Sequence, residues 1–317
     1  MKLLLAGGSG QVGQILARAF VQRGDDVVIL SRTPQEHASF RTVAWDGESL
    51  GEWTRELEGA DTVINLAGRS VNCRYTEKNR RAIMDSRVNS TLLIGKAIRQ
   101  ATKPPPVWLQ ASTATIYAHR YDAANDETTG IIGGSEPDTP ETWRFSIDVA
   151  TAWERALEES SPLPQTRTVL MRSAVVLSPD RGGIFDVLLR LVRRGLGGPA
   201  GDGRQYVSWI HEMDFVRAVL WLIEHEEVSG PVNLAAPNPL PNAAFMRALR
   251  LAWGMPIGLP APRWMVEIGT FLMRTESELV LKSRRVVPGR LSANGFRFEY
   301  PDWPATAAEL CSRRRRC

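Results

Sequence analysis

A chain of 317 residues, 43% hydrophobic and 23% charged, is long enough for one large core or two closely joined ones. That composition excludes collagen-like, disordered and coiled-coil architectures. No apolar run approaches the roughly 18 residues of a membrane-spanning helix. Met1–Gly8 reaches its glycines too soon for a secretion signal, so a cytoplasmic protein with no membrane contact is expected. The net charge of +4 equals the charge of Arg313–Arg316 alone. The body of the chain is therefore balanced, which argues against a nucleic-acid-binding face, and the arginine run is expected to be a solvated, frayed end. Three cysteines (Cys73, Cys311 and Cys317) without CxxC spacing support neither a disulfide framework nor a metal site and fit a reducing compartment.

Lys2–Ala6 reads as a short apolar strand ending in glycines. In Gln11–Arg23, Val12, Ile15, Leu16, Ala19 and Phe20 recur at helical spacing, and Gly24-Asp25 stops that helix. Val27–Leu30, Thr42–Trp45 and Thr62–Leu66 follow as buried strands, and about Glu77 to Gln100 as a long helix. Lys103-Pro104-Pro105-Pro106 forces a turn before the strand Val107–Ala111. A helix over about Ile147–Glu159 and a strand Thr168–Leu177 continue the alternation. Apolar strands joined by helical crossovers predict an α/β fold, a doubly wound, mostly parallel sheet covered on both faces. Beyond Leu177 the texture changes. Helices are expected at Ile184–Arg194 and His211–His225, with Val232–Ala235 returning to the sheet. A stretch rich in Pro, Trp and Met follows from Pro237. This predicts a nucleotide-binding domain over residues 1–177, completed by about 205–237, and a smaller C-terminal cap domain from 178–204 and 238–317.

Gly7-Gly8-Ser9-Gly10-Gln11-Val12-Gly13 places G-x-x-G-x-x-G between the first strand and the first helix. Gly7, Gly10 and Gly13 suit a tight turn, a close approach of backbone to pyrophosphate, and close packing of helix on strand. The amides of Gln11 and Val12 then open the helix toward the anion. A Rossmann-type dinucleotide site is expected. A site for NAD usually carries an acid at the end of the second strand; here that strand ends Ser31-Arg32. A guanidinium offers paired donors and opposite charge to a 2′-phosphate, so NADP is favoured over NAD. Asp46 stands either where it would accept from the adenine amino group or as a simple loop cap.

With these elements in place the chain resembles the extended short-chain dehydrogenase/reductases of the nucleotide-sugar epimerase type. Asn65-Leu66-Ala67-Gly68 is similar to the N-x-A-G element of that superfamily, and Ser112-Thr113-Ala114-Thr115-Ile116-Tyr117 to its S-S/T-x-x-V-Y element. Within it the chain most resembles the NADP-binding "epimerase family" branch, whose members are also described as cell-division-inhibitor-like. The resemblance rests on Ser86-Arg87, Trp153-Glu154, Leu196–Pro199 with Gly201 and Gly203, Trp209-Ile210-His211 with Asp214, Val287-Pro288, and Gly295–Phe298 with Tyr300-Pro301. It implies cofactor contacts at the glycine loop, Ser31, Arg32, Leu66, Ala67, Gly68, Glu77, Arg87 and Ser112. Related enzymes carry asparagine where Arg87 stands, so this arginine is expected either to pair with Glu77 or to reach phosphate.

The superfamily's chemistry uses Y-x-x-x-K on the helix after the fifth strand, where i, i+4 spacing puts both side chains on one face. Aligned through Glu154, those positions are Ser146 and Ala150, and no lysine lies between Lys103 and Lys282. The usual proton-transfer pair is therefore expected to be missing. Thr113 is a candidate hydroxyl donor, and Tyr117, His119, Tyr206 and His211 are candidate acid–base groups. His211 equally suits a structural return into the sheet. The resemblance implies an oxidoreductase or epimerase acting on a small molecule, either a carbonyl compound or a sugar nucleotide, as a monomer or homodimer. A non-catalytic NADP-dependent binding module is the other reading.

Overall fold

The computed structural model describes residues 1–34, 39–137, 139–160 and 163–316; Cys317 lies outside them. In chain order the elements are β1 Lys2–Ala6, α1 Gln11–Arg23, β2 Asp26–Ser31, β3 Arg41–Ala44, β4 Thr62–Asn65, α2 Glu77–Gln100, β5 Val107–Thr113 and α3 Glu141–Glu159. Next come β6 Arg167–Ser173, β7 Val175–Leu177, α4 Ile184–Arg193, β8 Tyr206–Val207, β9 Trp209–His211, α5 Glu212–Glu224 and β10 Gly230–Leu234. The chain closes with β11 Leu240–Pro241, α6 Asn242–Trp253, α7 Arg263–Leu272, α8 Glu278–Leu281, α9 Gly289–Ala293 and α10 Trp303–Arg316.

The main sheet has seven strands in the order β10-β6-β5-β4-β1-β2-β3, and every pair in it is parallel. The fold is thus a doubly wound Rossmann-type α/β sheet. Alternation along the strands serves both faces. Leu3, Leu5, Val27, Ile29 and Ile64 pack with Ile15, Leu16 and Phe20 of α1 and with Phe215, Val219 and Leu222 of α5. Leu4, Val28, Leu30, Val63 and Trp108 pack on the other side with Leu93, Ile94 and Ile98 of α2 and Leu157 of α3. The chain winds outward from β1 through β2 to β3, then resumes on the other side at β4. That switch leaves a crevice at the carboxyl ends of β1 and β4, where such sheets take their ligands.

A separate core joins α4, α6 and α10 around Trp209 and Trp303. The ring of Trp303 stacks on Phe245 at 4.0 Å between centroids, and its indole N–H donates to the Phe245 carbonyl. This core changes the outlook for the arginine run. Arg313 pairs with Glu212 at 2.6 Å, Arg314 with Asp186 at 2.8 Å, and Arg315 lies over the Trp253 ring while donating to its carbonyl. The run is the docked last turn of α10, not a frayed end, because each of these guanidinium groups finds a carboxylate, carbonyl or ring on α4, α5 or α6.

Three boundaries also move. The helix expected from about Ile147 begins at Glu141. The strand expected over Thr168–Leu177 divides: β6 stays in the main sheet, while β7 pairs with β9. The helix expected from His211 begins one residue later, with the His211 ring as its N-cap. Among the described residues no helix is long and apolar enough to cross a membrane.

Candidate functional site

The glycine loop is built as its spacing predicts. Gly7 has φ +72, and a Cβ there would lie 2.7 Å from the Ala67 Cα. At Gly13 a Cβ would lie 2.4 Å from the Gly8 Cα, so only glycine lets α1 sit this close to the loop. At Gly10 the nearest neighbour of a Cβ would be a single carbonyl oxygen at 3.9 Å, so that flank is open. Gly10 caps α1 with no side-chain hydrogen bond, and the first-turn amides of Gln11, Val12 and Gly13 find no acceptor among the described residues. The buried Gln11 Nε2 also lacks a partner. Orphan donors at the start of a long helix, beside open space, fit a pyrophosphate.

Around this loop the strand ends fall as follows. The buried Ser31 hydroxyl bonds locally with Thr33, while Arg32 is exposed and makes no ion pair among the described residues. Asp46 is a loop cap: its carboxylate accepts from the Glu48 and Ser49 amides and the Ser49 hydroxyl. The hydroxyl bond and the amides hold its carboxyl down at about 2. The Asn65 Oδ1 accepts from the Ala67 amide at 3.0 Å and its Nδ2 donates to Gln110, which fixes Leu66-Ala67-Gly68 across the mouth of β4. Glu77 is exposed at the start of α2.

A cavity of about 120 Å³ lies beyond β5, walled by Val71, Tyr75, Ile83 and Arg87, by Thr113 and Thr115, by Phe145, Ser146, Val149 and Trp153 of α3, and by Glu278 and Leu279 of α8. Thr113 ends β5, and its Oγ1 accepts from the Thr115 amide at 3.2 Å. Ser146, the position aligned with the tyrosine, donates from Oγ to Glu278 Oε2 at 2.6 Å. Glu278 has no exposed surface, and its Oε1 is held by Arg284 at 2.9 Å. The buried Glu276 accepts from the Tyr75 amide at 2.7 Å and from Arg74, clasping the segment before α8 to the segment before α2. Burial and the charge of Glu278 push the Tyr75 hydroxyl up to about 12. Lys282 lies just outside the lining, its Nζ donating to the Thr115 carbonyl at 2.7 Å, and burial lowers it to about 8. Ala150, aligned with the lysine, is fully buried in a small apolar cluster.

Arg87 does not pair with Glu77. Its Nη1 donates to the carbonyls of Arg69 and Ile83, each at 3.0 Å, and its guanidinium stands over the Trp153 ring at 5.0 Å. Ser112 is also engaged elsewhere: its hydroxyl donates to Glu154. Glu154 forms a two-pronged pair with Arg172, which donates in turn to the Tyr117 hydroxyl at 2.9 Å. Tyr117 donates to Asn233 on β10. This buried chain of bonds ties β5, α3, β6 and β10 together beneath the cavity.

Of the acid–base candidates from sequence, Thr113 alone lines the cavity. Tyr117 is sealed in the network just described. His119 accepts from the Ser283 amide through Nδ1, and burial lowers its pKa. Tyr206 lies under the guanidinium of Arg285. The His211 Nδ1 accepts from the Met213 amide, and its ring stacks on Tyr300 at 3.7 Å. Asp214 accepts from the Glu299 and Tyr300 amides, so the Trp-Ile-His and Asp214 motif serves the return into the sheet. Sequence reasoning missed Tyr75, Thr115 and Glu278, although the Glu276-Ser277-Glu278 and Lys282-Ser283-Arg284-Arg285 clusters were visible in an otherwise apolar stretch. Among the described residues no three His, Cys, Asp or Glu are placed to hold a metal ion.

Comparison with known proteins gives concordant results. The profile of the "NAD dependent epimerase/dehydratase family" matches residues 3–235, and that of a "Domain of unknown function (DUF1731)" matches residues 261–310. The epimerase family protein SDR39U1 of Bos taurus is 32% identical over 98% of this chain and 99% of its own. The epimerase family protein YfhF of Bacillus subtilis is 30% identical over 99% of each. The crystal structure of human SDR39U1 (isoform 2) with NADPH superposes with a TM-score of 0.85 at 30% identity, covering 98% of this chain and 99% of that one. MoeE5, crystallised with UDP-glucuronic acid and NAD, shares the fold with a TM-score of 0.74 at 20% identity, over 99% of both chains.

Proposed function

The chain belongs to the NAD dependent epimerase/dehydratase family, and on that premise we propose that it binds NADP and acts on a small carbonyl or hydroxyl compound, or the sugar end of a sugar nucleotide, without a Tyr–Lys pair. Residues 1–177 with about 205–237 form the cofactor-binding part in this reading, and 178–204 with 238–317 the cap. The helix-start amides of Gln11, Val12 and Gly13 would hold the pyrophosphate, and Arg32 the 2′-phosphate. When bound, the nicotinamide supplies hydride exchange. The cavity beside Thr113 is the place for the substrate. There the Thr113 hydroxyl would donate to a substrate oxygen. Ser146 Oγ, already bonded to Glu278 Oε2, would take a substrate proton as its own moves to that carboxylate. Arg284, on the other carboxylate oxygen, would hold Glu278 in place to receive it.

The observation that carries this reading is the open glycine loop with Arg32, unpaired among the described residues, at the end of β2. NADPH should bind in preference to NADH. A guanidinium–phosphate contact is worth about 1.5–3 kcal/mol, so Arg32→Ala should weaken NADPH roughly ten- to a hundred-fold and leave NADH almost unchanged. Equal loss for both cofactors, measured by nicotinamide fluorescence, would assign Arg32 to the fold instead. The second reading, a binding module without turnover, draws on Ser146 and Ala150 at the Tyr and Lys positions. NADPH oxidation across a panel of ketones, aldehydes and sugar nucleotides separates the two.

A further inference from the structure

Arg87 is an uncommon kind of arginine. It lines the cavity, and its two hydrogen bonds both leave from Nη1, to main-chain carbonyls. Nε and Nη2 find no acceptor among the described residues. No carboxylate there pairs with it: the cavity's own acid, Glu278, is held by Arg284 and Ser146. Burial lowers the arginine to about 10, and the titratable group that acts on it is the Tyr75 hydroxyl, which is neutral at ordinary pH. The group is half-buried, and its spare Nε and Nη2 are not sealed inside the protein, so they stand open to an anion that enters the cavity. Packing over Trp153 and beside Gly68, where a Cβ would meet Cζ at 3.1 Å, fixes the plane of the guanidinium. Its fork is therefore preset for a planar, bidentate acceptor.

The remaining walls define the rest of the ligand. Val71, Ile83, Phe145, Val149 and Trp153 are apolar, and Thr113 and Ser146 supply hydroxyls. Pockets for drug-sized ligands run from about 300 Å³ upward, so a space of about 120 Å³ suits a compound of a few carbons. We propose that the cavity takes a short oxo- or hydroxy-carboxylate, its carboxylate bound by Nε and Nη2 of Arg87 and its other oxygen by the Thr113 hydroxyl, with Ser146 Oγ accepting from that oxygen when it is a hydroxyl. This rests on reading the cavity as the substrate site beside bound NADP, and it names the substrate class.

The test uses 2-oxopentanoate and its neutral counterpart pentan-2-one, titrated calorimetrically into the full chain with and without NADPH. The carboxylate should bind about ten- to a hundred-fold more tightly than the ketone, the range of a charge-assisted contact. In the cofactor-free titration Arg87→Met should abolish that preference, and Arg87→Lys should retain part of it. No preference in the unmodified chain overturns the proposal, whatever the variants do. So does an Arg87→Met protein that keeps the preference and loses NADPH, since Arg87 would then serve the cofactor. Failure of the unmodified chain to bind NADPH counts against the cofactor reading alone, because the cofactor-free titration still decides the carboxylate.

Discussion

The two sides of the crevice are made of different material. On the glycine-loop side recognition is built from backbone, with Gly7, Gly10 and Gly13 spaced within seven residues and the first-turn amides of α1 left without acceptors among the described residues. On the cap side it is built from side chains brought from far apart. Ser146 meets Glu278 across 132 positions, and Tyr75 meets Glu276 across 201. Backbone sites are written locally, and at Gly7 and Gly13 this one has no room for an added Cβ. Side-chain sites need the whole fold to assemble them, and they hold charge that must be matched inside the protein. The same crevice thus has one wall limited by space and another limited by electrostatics.

The largest expected effect strikes the network beneath the cavity. The Glu154–Arg172 pair is buried, at 2.7 Å. Burial works against the charge of Arg172, but the bonds and charge of Glu154 outweigh it and raise its pKa. Glu154→Leu strands that charge and should cost about 3–5 kcal/mol in urea unfolding. A cost below about 1 kcal/mol, the range of an exposed pair, would show that the network is solvent-relaxed and the contrast overstated.

Acid should separate the walls next. Burial holds His211 down at about 4 against its ordinary 6.5, since Nδ1 must stay unprotonated to accept from the Met213 amide. Between those values the unfolded chain binds the proton and the native one does not. Stability from this group is therefore complete above pH 6.5, falls as pH drops toward 4, and is flat below. The loss is on the order of 3 kcal/mol. His211→Asn keeps an N-cap and should flatten the difference in urea midpoint between pH 7 and pH 4.5 relative to the unmodified chain; parallel curves would defeat this account. No comparable titration touches the backbone donors of the glycine loop.

The smallest of the three bears on space. Gly13→Ala places a methyl 2.4 Å from the Gly8 Cα, and backbone must shift to admit it. Overpacking of this kind costs about 1–3 kcal/mol, and cofactor affinity should fall with it. The matching change at Gly10, where a Cβ meets open space, should leave the melting temperature nearly unchanged while still obstructing NADPH. Equal thermal loss at both glycines would contradict the division of roles within the loop.

These same differences explain what could be read from sequence. The sheet order follows from apolar strands alternating with helical crossovers, and the loop from glycine spacing; both are short-range patterns. Thr113 was legible through the resemblance of Ser112–Tyr117 to a superfamily element, although the strand was expected to stop at Ala111 and runs on to Thr113. Glu278 was not, because nothing near it in sequence says that it closes over Ser146. Arg87 was expected either to pair with Glu77, ten residues away, or to reach phosphate; the pairing does not form, because α2 turns Glu77 to solvent and Arg87 to the cavity. Asp46 had two readings, and its neighbours Glu48 and Ser49 supplied the donors for the nearer one. The arginine run gave no sign of docking because Glu212, Asp186 and Trp253 reach it only through the tertiary packing of α10.

Arg274, with φ 55, is the one residue other than glycine in the left-handed region among those described. It follows α7, where glycine is the common choice, and its amide and that of Thr275 close the helix end on Phe271 and Thr270. An arginine there carries about 1–2 kcal/mol of steric cost, but it also denies the unfolded chain the freedom a glycine would have, worth about 0.4–1 kcal/mol. The gain offsets about half of the cost, and the joint is stiffer than a glycine would make it. The segment bearing Glu276 and Glu278 is hung from a joint with few alternative angles, so the far wall of the cavity is delivered to its place as a lever would be, and not as a tether.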